Sequence, residues 1–219
     1  MALAIFDLDN TLIAGDSDHA WGEYLVEQGV VDAEHYRQKN DKFYQDYQNG
    51  CLAIEEYLRF ALEPLARNTL DDLYKWRRAF FEDKIKPLML PKAAQLIARH
   101  RHNNDILLII TATNRFVTEP IAQALGIEHL IATEPELNQH GFTGKVTGIP
   151  SFKEGKISRL KQWLSTRPYS LEGAYFYSDS HNDLPLMKLV EFPVAIDPDD
   201  ELRSYCDAHQ WPIHSLRNV

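Results

Sequence analysis

The chain has 219 residues, 44% of them hydrophobic, so it is long enough to bury one full core and to carry a small inserted module. Its formal net charge of −9 argues against a nucleic-acid backbone or an anionic membrane as the main partner. Two cysteines, far apart in the sequence, exclude a disulfide framework and a zinc-ligand spacing. No segment signals export or spans a bilayer, so we expect a cytoplasmic protein.

The first predicted element is a buried strand that ends on two carboxylates, Asp7 and Asp9. Alternate side chains of a strand share a face, so both acids point to the carboxyl edge of the sheet, where open α/β folds bind ligands. One carboxylate is then placed to attack a phosphate and the other to move protons. An ordinary strand followed by an Asx turn is the alternative interpretation.

The pattern then becomes helical and stays so until about residue 86. An apolar stripe predicts a helix over 54–65, and a sequence similar to a capping box at 69–72 begins another. Gly50 ends an earlier helix. We expect the aromatic residues of that helix to pack in a bundle core rather than to contact a ligand: Tyr36, Phe43 and Tyr47.

After this helical block, short apolar strands alternate with helices. The predicted strands are 106–110, 129–133, 174–177 and 194–196, and the predicted helices are 91–101, 119–125, 152–164 and 184–190. A small hairpin is predicted around residues 139–144. This alternation implies an α/β fold with a doubly wound parallel sheet.

Three of these elements carry residues that suit phosphate chemistry. Thr111 ends a strand and can donate to a phosphate oxygen, and the small Ala112 lets a backbone N–H approach the same anion. Lys156 lies near the start of a helix, where a solvated surface charge is the alternative. Asp179 and Asp183 follow a strand and offer the oxygen ligands that Mg2+ prefers.

Together, these four signals resemble the motifs of the haloacid dehalogenase-type hydrolase superfamily, most members of which are Mg2+-dependent phosphatases. The Asn182-Asp183-Leu184 ending is similar to the phosphoserine phosphatase-like branch, subfamily IB, which includes histidinol-phosphatases. The resemblance implies a catalytic core of residues 1–14 and 88–219 and a small inserted α-helical cap over 15–87. Ser178 departs from the pattern, because relatives commonly place Gly there, and we expect no lost site.

The resemblance also implies a mechanism. Asp7 attacks the phosphorus and forms an aspartyl phosphate, while Asp9 protonates the leaving alcohol and then activates water. The Mg2+ ligands are the Asp7 and Asp179 carboxylates and the Asp9 backbone carbonyl. Asp183 is expected to complete this site through a metal-bound water or to orient Lys156.

Further roles concern phosphate and the loop around it. Thr111 and Lys156 would stabilise the equatorial oxygens, with Lys153 as the alternative to Lys156. Asn182 would contact phosphate from its turn. His181 is expected to be an exposed loop histidine, since Mg2+ does not favour imidazole.

Substrate choice depends on Asp16 and on the cap. Asp16 falls where phosphoserine phosphatases bind the substrate ammonium, although a helix N-cap before 18–28 is an equal alternative. Those enzymes also use a cap arginine for the substrate carboxylate. Here Arg59 lies two residues before that position, and Ala61 occupies it. The departure favours an amino-bearing phosphate ester without a carboxylate, such as histidinol phosphate, over phosphoserine.

Several other functions share part of this pattern. A two-component receiver lacks both the Asp7-x-Asp9 spacing and a helical insertion after its first strand, and a dehalogenase lacks the second acid. A phosphatase of sugar phosphates, a phosphomutase and a non-enzymatic phosphate-binding protein remain alternatives. The expected partner is a small-molecule phosphate ester, and the expected assembly is a monomer or a homodimer.

Overall fold

The computed structural model describes residues 2–217. Its strands form one seven-stranded sheet in the order β4-β3-β2-β1-β5-β6-β7, in which only β3 and β4 pair antiparallel. The strand bounds are β1 Leu3–Phe6, β2 Ile106–Asn114, β3 His129–Asn138, β4 Gly141–Thr147, β5 Tyr175–Ser178, β6 Phe192–Ile196 and β7 Ile213–His214. The predicted α/β class, with a doubly wound sheet and a helical insertion, is confirmed.

Four helices follow β1 directly, and the others alternate with strands. Their bounds are α1 Ser17–Glu27, α2 Ala33–Gln48, α3 Ile54–Arg67, α4 Leu70–Phe80, α5 Pro91–His102, α6 Arg115–Ala124, α7 Glu154–Leu164, α8 Leu184–Met187 and α9 Asp200–His209. A π-helical turn and a 3-10 turn, Phe81–Ile85 and Lys86–Leu88, lead from α4 back to the sheet. None of the helices within residues 2–217 has the length and apolar character needed to cross a membrane.

The central strand β1 packs into apolar clusters on both faces of the sheet. Ala4 and Phe6 face a cluster that the inserted helices share, whereas Leu3 and Ile5 face the cluster formed with α7, α8 and α9. The inserted helices and the sheet therefore share one continuous core on the first side. The division into a core of 1–14 and 88–219 and a cap of 15–87 stays a prediction, and residues 1, 218 and 219 of that core lie outside the described residues.

The order of the strands creates the crevice in which the site lies. From β1 the chain first builds β2, β3 and β4 on one side and then β5, β6 and β7 on the other. Such a switch point opens at the carboxyl end of the central strand. Asp7 follows β1 there, and its N–H donates to the carbonyl of Tyr177 in β5 at 2.9 Å.

Several elements differ from the sequence prediction. Strand β2 continues to Asn114 instead of ending at residue 110, and α8 ends at Met187. Helix α9 and strand β7 were not predicted. Helix α9 buries only Leu202 and Cys206, so its apolar stripe is too short to give a clear helical period.

Candidate active site

Three buried charged residues meet at the carboxyl ends of β1 and β5. The Lys156 Nζ lies 2.8 Å from Oδ1 of Asp7 and 2.7 Å from Oδ1 of Asp183. Lys156 reaches them because it lies in the first turn of α7, and its side chain is only 2% exposed. The structure thus brings the predicted Lys156 to the acid pair, whereas Lys153 donates to the carbonyl of Gly50 at 2.7 Å.

Burial and mutual charge shift the pKa values of this group. Burial raises the pKa of Asp7 to about 7, although the Lys156 ammonium opposes this shift. Burial alone lowers the pKa of Lys156, but the carboxylates of Asp183 and Asp7 together raise it above its usual value. Lys156 therefore stays charged between two acids, and the raised pKa of Asp7 lies near neutral pH.

Asp9 is held by hydrogen bonds from two elements. Its Oδ1 accepts the Ser17 N–H of helix α1 at 2.7 Å, and its Oδ2 accepts the Thr113 hydroxyl at 2.8 Å. The predicted Thr111 is 1% exposed, and its hydroxyl lies 3.4 Å from the same Oδ2. Burial, together with the charge of Asp16, raises the pKa of Asp9 to about 6.

Asp179 and Asp183 have different surroundings. Oδ1 of Asp179 accepts the Thr11 hydroxyl at 3.1 Å, and burial, followed by the charges of Asp7 and Asp183, raises its pKa well above the usual value. Both oxygens of Asp183 lie within reach of Lys156, and the Ser178 hydroxyl donates to Oδ2 at 2.7 Å. Of the two predicted roles of Asp183, this geometry favours the orientation of Lys156. Ser178, at the position where the resemblance predicts glycine, therefore adds a hydrogen bond to Asp183.

The C-terminal end of α2 and the loop that follows it contact the turn that carries His181 and Asn182. The Asn182 side-chain amide donates to the carbonyl of Tyr47 at 3.0 Å, and its buried Oδ1 has no partner among the described residues. His181 binds the Asp199 carboxylate at 2.8 Å, and its side chain is 12% exposed. The prediction of an exposed loop histidine was therefore wrong, because the ring fills the space beside Gly50.

A pocket opens between the acid pair Asp7 and Asp9 and the inserted helices. Four carboxylates line it, from Asp7, Asp9, Asp16 and Asp18, and His19 lies beside them. No lysine or arginine among residues 2–217 lines the pocket. The remaining wall includes aromatic and aliphatic side chains: Phe43, Tyr44, Tyr47, Leu52, Ile54 and Tyr57.

This lining corrects the interpretation of the α2 aromatics. Phe43 and Tyr47 line the pocket and are not confined to a bundle core. Tyr36 packs as predicted, with its ring 4.3 Å from that of Phe60. A helical period shows which side of a helix faces inward, but it does not show whether a neighbour or a cavity lies there.

The two predicted substrate-selecting residues have different positions. Asp16 is the N-cap of α1, accepting the N–H groups of Asp18 and His19, and it also lines the pocket. Both alternatives for Asp16 are therefore compatible with its position. Arg59 is exposed and lines a separate surface groove, so the structure does not bring it to the acids. Ala112 lines the pocket, and its carbonyl accepts the Thr133 hydroxyl at 2.8 Å.

A second set of possible metal donors lies on the inserted helices. Ligand atoms of His19, Glu23 and Asp41 all fall within 4.8 Å of one another. His19 already contacts Asp41 at 2.8 Å, and Glu23 accepts from Arg37 at 3.0 Å. These contacts pair His19, Asp41 and one carboxylate oxygen of Glu23 with other side chains.

Comparison with known proteins identifies the family. The sequence-family model of the haloacid dehalogenase-like hydrolases matches residues 4–188 of this chain. This chain belongs to the haloacid dehalogenase-like hydrolases. A histidinol-phosphatase of Neisseria meningitidis serogroup C (strain 8013) is 47% identical to this hydrolase over 219 residues, which cover 98% of this chain and 99% of that protein.

Solved structures agree with this assignment. A protein of unknown function from Bordetella pertussis Tohama I is 40% identical and superposes with a TM-score of 0.93, covering 99% of both chains. A phosphoserine phosphatase bearing an analogue of its phospho-aspartyl intermediate superposes with a TM-score of 0.72 over 99% of this chain and 94% of its own. At 16% identity, this second likeness shows the fold alone. The predicted superfamily and the predicted enzyme class, a phosphatase, are confirmed.

Four residues that the geometry brings to this hydrolase's site were not predicted from the sequence. The predicted strand ends at residue 110, whereas β2 continues to Asn114. Thr113 therefore lay outside the prediction, although it alternates with Thr111 along β2. Asp18 lies two residues after Asp16, and this second pair of closely spaced acids could have been recognised in the sequence. Tyr57 is part of the apolar stripe of α3, and Tyr44 has no local pattern that separates it from its neighbours.

Proposed function

We propose that this hydrolase cleaves a phosphomonoester that carries a cationic nitrogen group and no carboxylate, with histidinol phosphate as the favoured substrate. The charge of the pocket carries the proposal, since four carboxylates line it and no lysine or arginine of residues 2–217 does. A substrate carboxylate would lose hydration there without gaining a counter-charge, whereas an ammonium or imidazolium would neutralise the acids. The name of the Neisseria relative supports the same choice.

In the proposed reaction, Asp7 is the nucleophile. Lys156 occupies its Oδ1, and its Oδ2 accepts no hydrogen bond within the described part of the chain, so Oδ2 is free to attack phosphorus in line. The attack forms an aspartyl phosphate and releases the alcohol. Lys156 lies beside the attacking carboxylate and is suited to donate to an equatorial phosphoryl oxygen, with the buried Thr111 as a second donor.

Asp9 is the proposed acid and base. A pKa near 6 allows it to protonate the leaving oxygen and then to take a proton from the water that hydrolyses the aspartyl phosphate. The Ser17 N–H and the Thr113 hydroxyl fix the carboxyl group in one orientation. We therefore assign Thr113 a positioning role, which sequence reasoning had given to no residue.

The donor set fits a divalent cation. Asp7 and Asp183 are buried on either side of the Lys156 ammonium. The half-buried Asp179 has a pKa raised well above its usual value by burial and by the charges of Asp7 and Asp183. We propose that the Asp7 and Asp179 carboxylates and the Asp9 backbone carbonyl hold Mg2+, and that Asp183 acts through Lys156. Bound Mg2+ supplies charge neutralisation to the transferring phosphoryl group.

The testing experiment is a panel of phosphomonoesters with and without Mg2+. Histidinol phosphate is expected to have the highest kcat/KM, above phosphoethanolamine, phosphoserine and glucose 6-phosphate. Activity should vanish with excess chelator and return with Mg2+. A preference for the sugar phosphate or for phosphoserine would contradict the substrate proposal, and full activity in excess chelator would contradict the metal site.

Cytoplasmic location and a monomeric or homodimeric state stay predictions.

A further inference from the structure

The first turn of α1 carries two pocket acids with different local roles. Asp16 is the N-cap, and its Oδ1 accepts the N–H groups of Asp18 and His19 at 2.9 and 2.8 Å. The side chain of Asp18 makes no such bond to the helix backbone. It accepts a hydrogen bond from the Tyr57 hydroxyl of α3, which is 39 residues away in sequence.

This hydrogen bond fixes the Asp18 carboxylate while leaving part of it available. Tyr57 has a single hydroxyl proton, and it is directed to Oδ2 of Asp18. The edge-on ring of Phe43, 5.5 Å from that of Tyr57, supports the tyrosine. Oδ1 of Asp18 has no hydrogen-bond donor among residues 2–217, so it can accept one from a molecule in the pocket.

Neither the helix cap nor an ion pair with lysine or arginine accounts for the Asp18 side chain. The helix start is already capped by Asp16, and no lysine or arginine of the described chain pairs with Asp18. Burial raises the pKa of Asp18 to about 7, which means that the folded protein holds this carboxylate at a cost. A cationic or N–H-bearing ligand would remove that cost.

We infer that Asp18, oriented by Tyr57, is a specificity-determining residue that binds a second nitrogen group of the substrate. In this arrangement Asp16 binds one nitrogen group and Asp18 the other, and the two carboxylates together reject a substrate carboxylate by like-charge repulsion. The substrate class is a phosphomonoester with two hydrogen-bond-donating nitrogen groups and no carboxylate. The inference rests on the proposed function and adds to it the residue that makes the choice.

Asp18→Asn and Tyr57→Phe test this assignment with three substrates: histidinol phosphate, phosphoethanolamine, which has one amine, and phosphoserine, which has an amine and a carboxylate. Asp18→Asn keeps the side-chain volume and removes the charge. We expect kcat/KM for histidinol phosphate to fall about 10- to 100-fold further than kcat/KM for phosphoethanolamine. The preference over phosphoserine should shrink as well, and Tyr57→Phe should show the same trend at roughly 3- to 10-fold.

The matched control is Asp71→Asn, which removes the same charge from the exposed surface of α4. Its substrate ratios should equal those of the wild type. An equal loss on all three substrates in both pocket variants would overturn the assignment, because it indicates a structural role. The assignment would also be overturned if the wild type prefers histidinol phosphate and the Asp18→Asn variant keeps this preference. A wild type that prefers phosphoserine would instead overturn the proposed substrate, and Asp18's role with it.

Discussion

Replacing Lys156 with methionine removes the ammonium that contacts both Asp7 and Asp183. Its Nζ lies 2.8 Å from Asp7 and 2.7 Å from Asp183, and the side chain is 2% exposed. Removing one partner of a buried ion pair costs about 3–5 kcal/mol, because it leaves an uncompensated buried charge. In a domain of this length each kcal/mol lowers the Tm by about 2–4 °C, so Lys156→Met should lose roughly 6–20 °C at neutral pH.

The loss should depend on pH in a stated direction. Without Lys156, the pKa of Asp7 rises further above its usual value, since the ammonium is the group that opposes the effect of burial. A carboxyl group with a raised pKa in the folded state stabilises the fold as pH falls through that pKa, because the folded state then binds the proton more tightly. Thermal unfolding followed by circular dichroism, in Mg2+-free buffer, should therefore show a smaller loss at about pH 5 than at about pH 7.5.

Lys153→Met is the matched control, three residues earlier in the same segment. Lys153 is half-buried, and its Nζ donates to the carbonyl of Gly50 at 2.7 Å. Its replacement should cost only about 0.5–1.5 kcal/mol, because it removes one hydrogen bond. Equal Tm losses in the two variants, or a Lys156→Met loss that does not shrink at acid pH, would refute the argument from buried charge.

Three further substitutions test other parts of the site. Asp7→Asn should lower turnover at least about a thousandfold with the circular dichroism spectrum unchanged, and near-normal turnover would contradict covalent catalysis. Asp16→Ala should lower kcat/KM for histidinol phosphate about 10- to 150-fold further than for p-nitrophenyl phosphate, whereas equal losses would mean only a helix cap. Gly50→Ala, whose Cβ would lie 2.6 Å from His181 Nε2 at φ +67°, should lose more stability in urea than Gly29→Ala, which has the same φ and no neighbour within 4 Å. Equal losses would show that backbone strain alone decides the outcome.

The motif acids could be predicted because their signals are local. Asp7 and Asp179 directly follow short apolar strands, and a strand end in a parallel sheet is where ligands bind. Lys156 begins a helix, where a solvated surface charge was the alternative, so its place at the site was predicted from the family resemblance and not from a local signal. The structure brings these residues together as the sequence order implied.

The residues that line the pocket could not be predicted in the same way. Thr113 binds Asp9 across 104 residues, and Tyr57 binds Asp18 across 39. Tyr57 belongs to an apolar stripe that fits a packed core as well as a pocket wall. Only the tertiary arrangement of α1 and α3 distinguishes these alternatives, because a hydrophobic period carries no information about the opposite surface.

A competition assay shows whether the acidic pocket selects a cationic phosphate ester. Histidinol phosphate and phosphoserine are mixed at equal concentration with the enzyme and Mg2+, and the disappearance of each is followed by 31P nuclear magnetic resonance. The ratio of the two rates equals the ratio of the kcat/KM values. Compared with phosphoserine, histidinol phosphate gains one charge-assisted hydrogen bond and avoids one like-charge contact. We therefore expect it to be consumed at least about tenfold faster. Consumption of phosphoserine at an equal or greater rate would contradict selection of a cationic ester by the acidic pocket.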